Sequence, residues 1–430
     1  MPHEPVTDFA IDFDHTDPTW VRDPYPIFED LRGRCPIAHS DRYGGTWLPV
    51  RHADVSAIAN DHDHFTSRAI LVTEGRPGPQ APPAPIGVAP PITSDPPFHQ
   101  IARRLLLPAF SPKAIAQLEG FTRSLCSQLL DDAGSTTQLD GAVDYAQHIP
   151  VGVIARMLGF PPEDGDVFRA FVHTILESVD LPFEERIERF GPIEAYFIAQ
   201  VEDHRANPRE DLTSFLLEVE IEGQRLGDRH VFGTMVLLLA AGIDTTWSAI
   251  GASLWHLATH EADRRRLASD PALLPIAIEE LLRAYAPVTM ARLVKEDFEF
   301  QGCPMRSGDR VLMAFPAANR DPAVFDSPTT CCSTGHRTAT LPSAPASTGA
   351  PVRTSPASSC ASRRRRGWPA FPSLRSRIRS RSRGRADRCG AAPLHGCLLG
   401  SGAEPIAKGH RLTRPDARSC TGGRGALVRA

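Results

Sequence analysis

The chain has 430 residues, 41% of them hydrophobic, and carries a formal net charge of −4 at pH 7. This length and apolar content are sufficient for a sizeable hydrophobic core. The first 20 residues are polar and acidic, without an apolar signal segment or membrane span, so we expect a soluble cytoplasmic protein rather than a membrane-anchored one.

The small net charge conceals a change of composition after Pro328. Only three acidic residues follow it, whereas arginines are frequent and four are consecutive at 363–366. No helical or strand period is sustained there. We therefore expect a folded domain over 1–328 and a disordered tail, rich in Arg, Pro, Ser and Ala, over 329–430.

The cysteines give no sign of disulfides or of a metal site. Six of the nine lie beyond residue 330, and Cys35, Cys126 and Cys303 in the predicted domain are solitary. Such spacing fits a protein of the reducing cytoplasm.

The N-terminal region predicts short elements of both kinds. Asp23-Pro24-Tyr25-Pro26 is typical of a helix start, and this helix should run through Arg32. Residues 45–50 predict an edge strand and residues 53–60 a further helix. From 75 to 97 the chain is dominated by Pro, Gly and Ala, which indicates an irregular segment.

Helical periodicity then prevails from His99 to about Ala258. The alternation at 298–300, a turn at Gly302 and the apolar pair at 311–312 predict a hairpin. The whole pattern predicts a mostly α protein with a small β portion. The helical region should break at four proline-containing points, namely 111–112, 161–162, 182 and 208.

The predicted helix over 231–260 contains an unusual polar insertion after its apolar run. Gly242 costs about 1 kcal/mol relative to alanine within a helix. The hydroxyl of Thr245 can bond to the carbonyl one turn earlier and open the helix, making room for a small ligand. The alternative is an ordinary amphipathic helix that happens to contain the capping-type sequence Asp244-Thr245-Thr246.

Several charged residues have spacings that allow either a structural or a functional interpretation. Glu280 and Arg283 lie three apart on a predicted helix and could form a solvated surface pair. His99 and Arg103 share one face at a helix start, and Arg292 follows a proline turn. Each of these three cations, taken alone, could equally be a surface residue.

In combination, these segments resemble the cytochrome P-450 family of haem-thiolate monooxygenases. The resemblance spans roughly residues 20–328. It implies a single mostly α domain that binds haem b and inserts one oxygen atom into a small organic substrate. It also implies electrons from NAD(P)H through ferredoxin and ferredoxin reductase. The segments that carry it are Ala241-Gly242-Ile243-Asp244-Thr245-Thr246, Glu280-Leu281-Leu282-Arg283 and Ala318-Asn319-Arg320-Asp321-Pro322.

The resemblance also implies roles for the polar insertion. Ala241 and Gly242 would line the groove that receives dioxygen. The hydroxyl of Thr245 would hold dioxygen by a hydrogen bond, and Asp244 would help to relay protons from solvent. The segment over 75–97 would cover the substrate cavity.

For the remaining charged residues the resemblance implies two tasks. His99, Arg103 and Arg292 would pair with the haem propionates. Glu280 and Arg283 would form a buried pair that a later arginine completes beneath the haem. The chain as written has no such arginine in place, so we expect an incomplete network.

The family's cysteine loop, Phe-Gly-x-Gly-x-x-x-Cys-x-Gly, is absent from the chain, so no axial metal ligand can be assigned. It reappears when the third base of each codon from Pro328 onward is joined to the first two bases of the next, with free third bases. Residues 341–360 then become Leu/Ala-Ala-Phe-Gly-Ala-Gly-Val-His-Arg-Cys-Ala-Gly-Ser-His-Leu-Ala-Arg-Val-Glu-Leu, and the cysteine codon straddles Gly349 and Ala350. We infer a single lost base near the Pro328 codon, which would leave the chain as written inactive.

Two other classes of function remain open. The chain could be a non-catalytic remnant of an enzyme, or a binding protein that uses its basic tail to contact nucleic acid. The tail has no interleaved aromatic residues and no known binding module. Shifted frames of GC-rich genes encode Arg, Pro, Ala and Ser in abundance, so nucleic acid is not the partner we expect.

Overall fold

The computed structural model describes residues 4–72, 76, 89–134, 139–177, 181, 183–221, 223–326, 328 and 331. Most of the predicted loop over 75–97 and almost all of the predicted tail lie outside these residues. The predicted disorder of the tail and the break at 182 therefore stay predictions.

Helices dominate the described residues, as the periodicity predicts. Short 3₁₀ or π segments occur at 42–44, 141–146, 162–164, 173–177 and 271–273. The α-helices are α1 (Pro18–Arg22), α2 (Tyr25–Arg34), α3 (His52–Asn60), α4 (Phe98–Leu106), α5 (Pro112–Ala133), α6 (His148–Leu158), α7 (Gly165–Val172), α8 (Phe183–Ala206), α9 (Leu212–Glu218), α10 (Asp228–Thr259), α11 (Glu261–Ser269), α12 (Leu274–Ala284) and α13 (Phe315–Ala318).

The β portion comprises one five-stranded sheet and two small hairpins. The sheet has the order β1-β2-β9-β6-β3, with β2 and β9 parallel and the other pairs antiparallel. The strands are β1 (Ile37–Ser40), β2 (Thr46–Pro49), β3 (Phe65–Thr66), β4 (Glu220–Ile221), β5 (Gln224–Arg225), β6 (Met290–Val294), β7 (Phe298–Phe300), β8 (Cys303–Met305) and β9 (Arg310–Met313).

The strand predicted over 45–50 is present as β2, but the prediction of an edge position was wrong. β2 lies between β1 and β9, and all four of its residues are buried. Its parallel partner begins at Arg310, which pairs with Thr46. A contact between segments so distant in the chain leaves no local pattern in the sequence.

The predicted hairpin near residue 300 is confirmed in its first half only. β7 and β8 pair across Gln301 and Gly302, which both have positive φ (51° and 80°), as a two-residue hairpin turn requires. The apolar pair at 311–312 belongs instead to β9, which pairs with β6 in the main sheet.

The central helix α10 forms the core of the helical region and packs most extensively against α6. Its residues from Val231 to Ile243 join a cluster that includes Phe168, Phe171 and Phe197. α10 is long and apolar enough to cross a membrane, but 61% of its apolar window is buried inside the protein. Such burial is what a core helix of a globular domain shows.

Candidate functional site

The polar insertion of α10, residues 241–246, has one buried side and one exposed side. Asp244 is fully buried, whereas Ala241 and Thr246 are exposed. The hydroxyl of Thr245 donates a hydrogen bond of 2.6 Å to the carbonyl oxygen of Ala241. This bond was expected, but α10 continues through it without interruption. The helix is therefore not opened at this turn, and a groove for a small ligand next to Ala241 and Thr245 stays a prediction.

Gly242 has a packing role that the sequence did not reveal. A Cβ atom at this position would lie 2.7 Å from Cδ1 of Ile154 on α6, far closer than carbon atoms approach each other. The glycine therefore lets α6 and α10 pack closely. The role in a dioxygen groove stays a prediction.

Three basic side chains, two from α4 and one from β6, lie near one another at the start of α4. His99 on α4 and Arg292 on β6 are each only 4% exposed, and Arg103 lies one helical turn after His99. Burial holds the pKa of His99 below its usual value, and the positive charges of Arg103, His62 and Arg292 lower it further. The structure thus brings the three predicted propionate ligands together.

Arg292 is the most informative member of this cationic pocket, which we define as His99, Arg103 and Arg292. Its Nη1 is buried and has no hydrogen-bond partner among the described residues. Burial lowers the pKa of its guanidinium to about 10, and the carboxylate of Asp95 opposes the shift only in part. An unpaired buried donor is costly, whereas a carboxylate would form a charge-assisted hydrogen bond with it. The pocket therefore fits an anionic group such as a haem propionate.

Glu280 and Arg283 on α12 form a buried ion pair, not a solvated one. Arg283 Nε and Nη2 donate to the two carboxylate oxygens of Glu280 at 2.9 and 2.7 Å. Its Nη1 donates to the backbone carbonyls of Asn319 and Pro328 at 2.9 and 3.0 Å. Main-chain carbonyls thus take up the remaining donor of Arg283, and the expectation that the network lacks its later arginine stays a prediction.

The described residues contain no group of three His, Cys, Asp or Glu side chains placed to hold a metal ion. The loss of the axial cysteine concerns residues outside this part and stays a prediction.

One residue near the cationic pocket was not predicted from the sequence. Asp95 precedes Pro96-Pro97 at the start of a helix, a position typical of a helix cap. This local pattern does not indicate that Asp95 lies near Arg292.

Comparison with known proteins identifies the family. A model of the cytochrome P-450 family matches residues 269–330. The vitamin D(3) 25-hydroxylase of Pseudonocardia autotrophica is 35% identical over 314 residues, which cover 70% of this chain and 75% of that protein. The nocardicin C N-oxygenase of Nocardia uniformis subsp. tsuyamanensis is 33% identical over 316 residues, or 71% and 77% of the two chains.

A solved structure gives the same answer for the fold. The cytochrome P-450 PksS of the Bacillus subtilis 168 bacillaene polyketide synthase superposes with a TM-score of 0.69 at 25% identity, covering 76% of this chain and 84% of that one. The sequence identity to these relatives and the shared, mostly helical fold agree, and the chain belongs to the cytochrome P-450 family of haem-thiolate monooxygenases.

Proposed function

We propose that the gene of this chain specifies a cytoplasmic monooxygenase that oxidises a small, apolar organic molecule. Its electrons would come from NAD(P)H through a ferredoxin and a ferredoxin reductase, because the sequence has no flavin or iron–sulfur pattern of its own. The observation that carries the proposal is the buried, unpaired Nη1 of Arg292 beside His99 and Arg103. Haem b bound through a thiolate would supply the iron, and the electron donation of the thiolate favours cleavage of the O–O bond.

The residues of the chain have separate tasks in this proposal. Arg292, His99 and Arg103 bind and orient the two propionates by charge-assisted hydrogen bonds. The hydroxyl of Thr245 lies on the open side of α10 and donates its hydrogen bond to the carbonyl of Ala241. Rotation of the hydroxyl would free this donor for a small ligand held beside Ala241, and Asp244, one residue earlier, would help to return protons to it.

We also propose that the chain as written is inactive, because the frame slip near the Pro328 codon removes the cysteine loop. The surface of the described helices supports a missing segment. Leu274, Ile278 and Leu282 recur every fourth residue along one face of α12 and are 44%, 51% and 40% exposed. α5 is 22 residues long and buries none of them. Soluble domains rarely leave such apolar helix faces uncovered.

The test compares the chain as written with a version in which one base is restored near the Pro328 codon. After reduction and addition of carbon monoxide, the restored protein should show the family's thiolate-ligated haem band, and the chain as written should not. Cys360, preceded by Ser358 and Ser359, lacks the glycines that would let a loop approach the iron.

The matched control is the restored protein with serine in place of the cysteine encoded across the Gly349 and Ala350 codons. It should lose the band while keeping its fold. A thiolate-ligated band from the unaltered chain would disprove the proposed inactivity. A restored protein that folds without binding haem would disprove the proposed function.

A further inference from the structure

Asp95 lies beside the cationic pocket and has no part in the function proposed above. Its carboxylate is fixed at both oxygens. Thr66 Oγ1 donates to Oδ2 at 2.5 Å, and the backbone N–H of Ser67 donates to Oδ1 at 2.9 Å. Thr66 and Ser67 are themselves buried, so both residues that hold the carboxylate have little freedom to move.

The same residue links β3 to the two elements that carry the pocket, α4 and β6. Thr66 ends β3 and pairs with Leu293 on β6, so Asp95 is anchored next to the strand position of Arg292. The carbonyl oxygen of Asp95 accepts the backbone N–H of His99 at 2.9 Å, which fixes the first turn of α4. A movement of Asp95 would therefore shift His99 relative to Arg292.

The charge of Asp95 acts on two side chains of the pocket, His99 and Arg292. Its carboxylate raises the pKa of both His99 and Arg292, against the lowering by burial. No ion pair within 4.0 Å joins Asp95 to Arg292 in the described part of the chain. Asp95 thus offsets part of the repulsion between the cations without occupying the hydrogen-bond donors of Arg292.

We propose that Asp95 is a positioning residue of the cationic pocket, which holds α4 and β6 in register for a dicarboxylate and partly balances the pocket charge before that ligand binds. The inference rests on the proposed function in one respect, because the dicarboxylate is taken to be the propionate pair of a porphyrin. The charge and the anchor have opposite consequences for binding, and variants can separate them.

The probe is metal-free protoporphyrin IX, compared with its dimethyl ester, in which both propionates are neutral. Neither ligand needs an axial cysteine, so the full chain as written can be used, and the measurement is repeated on the frame-restored chain. Dissociation constants come from quenching of tryptophan fluorescence. The experiment therefore reports on the pocket even if the frame hypothesis fails, and the carbon monoxide band reports on the thiolate separately.

Asp95→Asn keeps an acceptor oxygen and removes the charge, so the protein should bind protoporphyrin IX about three- to tenfold more tightly, since a nearby negative charge no longer repels the propionates. Binding of the dimethyl ester should not change. Thr66→Val removes one of the two hydrogen bonds that anchor the carboxylate and keeps the charge, so binding of protoporphyrin IX should weaken several-fold relative to the ester. Asp63→Asn, an exposed acid before the same strand, is the matched control and should change neither constant.

A purely structural Asp95 would change the binding of both porphyrins equally in Asp95→Asn, and that result would overturn the proposal. Weaker binding of protoporphyrin IX by Asp95→Asn, or an unaltered ratio of the two constants in Thr66→Val, would do so as well. Failure of both unsubstituted chains to prefer protoporphyrin IX over its ester would overturn the propionate assignment together with the role of Asp95.

Discussion

Gly242 and Gly251 lie on the same helix but have different surroundings, which gives a matched pair of substitutions. A Cβ at position 242 would meet Ile154 at 2.7 Å, whereas one at position 251 has nothing within 4 Å. Gly242→Ala should therefore lower the free energy of unfolding by about 1–3 kcal/mol through overpacking. Gly251→Ala should raise it by up to about 1 kcal/mol through helix propensity. Denaturant titration measures both, and equal effects would contradict the packing role of Gly242.

Thr245 allows a test of the proton route in the frame-restored protein. Thr245→Ala removes the hydroxyl that donates to the carbonyl of Ala241 and leaves the cationic pocket intact. Because positioned proton transfer contributes about 10²–10⁴-fold, we expect product formation to fall and peroxide to be released, with little change in the haem spectrum. The measurement is peroxide formed per NAD(P)H consumed. An unchanged ratio would assign Thr245 to helix structure alone.

At the scale of elements, the pair Glu280–Arg283 ties α12 to the segment after α13. Arg283→Ala would remove two hydrogen bonds to the buried carboxylate of Glu280 and two to main-chain carbonyls. The expected loss of unfolding free energy is about 3–5 kcal/mol. Arg123→Ala on α5 removes a solvent-exposed pair with Glu119 and should cost less than about 1 kcal/mol. Similar losses in the two variants would refute a structural role specific to the buried pair.

His256 links the end of α10 to α11 and to the residue after α12. Its Nδ1 lies 2.8 Å from the hydroxyl of Tyr285 and its Nε2 3.1 Å from Asp263. Burial raises the pKa of Tyr285 to about 12, so this hydroxyl keeps the proton that it can donate to His256. Burial and the stacked ring of His260 lower the pKa of His256, and Asp263 opposes that shift.

The direction of the resulting pH effect follows from linkage. The pKa of His256 in the folded protein lies below the ordinary histidine value of about 6.5, so the unfolded chain takes up this proton first as the pH falls. Above that value the neutral histidine makes its full contribution to the free energy of unfolding, and this contribution is lost as the pH falls below it. Between about pH 7.5 and about pH 5.5 the parent protein should therefore lose more stability than His256→Gln. Parallel losses in the two proteins, measured by denaturant unfolding, would exclude His256 as the source.

For the whole molecule, the apolar faces of α5 and α12 predict a difference between the two chains. The chain as written should bind a hydrophobic dye through Leu274, Ile278 and Leu282, because these side chains have no cover in the described structure. The frame-restored protein should bind less dye, since its additional segment would pack on the helices. Equal dye binding by two folded chains would contradict a missing packing partner.

The sequence predicted those parts of the fold whose cause is local. α10 could be placed because its apolar run is long, and α2 could be placed because proline and an acid mark its start. The five-residue helix α1 was missed, since its only signals are the cap at Asp17 and the proline that follows. Short helices lack the repeats that a period requires.

Parts that depend on distant contacts could not be predicted from the sequence. The cations of the pocket were identified, but their convergence depends on the approach of α4 to β6. The charge of Asp95 acts across the gap between these elements, and the role of Gly242 depends on Ile154 of another helix. The carbonyls that receive Arg283 belong to residues 36 and 45 positions later. None of these partners has a fixed spacing from the residue it serves.

The hydrogen bonds from Arg283 to the carbonyls of Asn319 and Pro328 have a use in protein engineering. Because the main chain accepts both hydrogen bonds, the anchor does not depend on which side chains follow Pro328. The peptide link after this residue is thus a rational place to divide the enzyme into two separately expressed pieces. Residues 1–328 would form one half, and the re-read cysteine segment the other. Reassembly of the halves would generate the haem band. The pair would then report, by its colour, the association of two proteins that are each fused to one half.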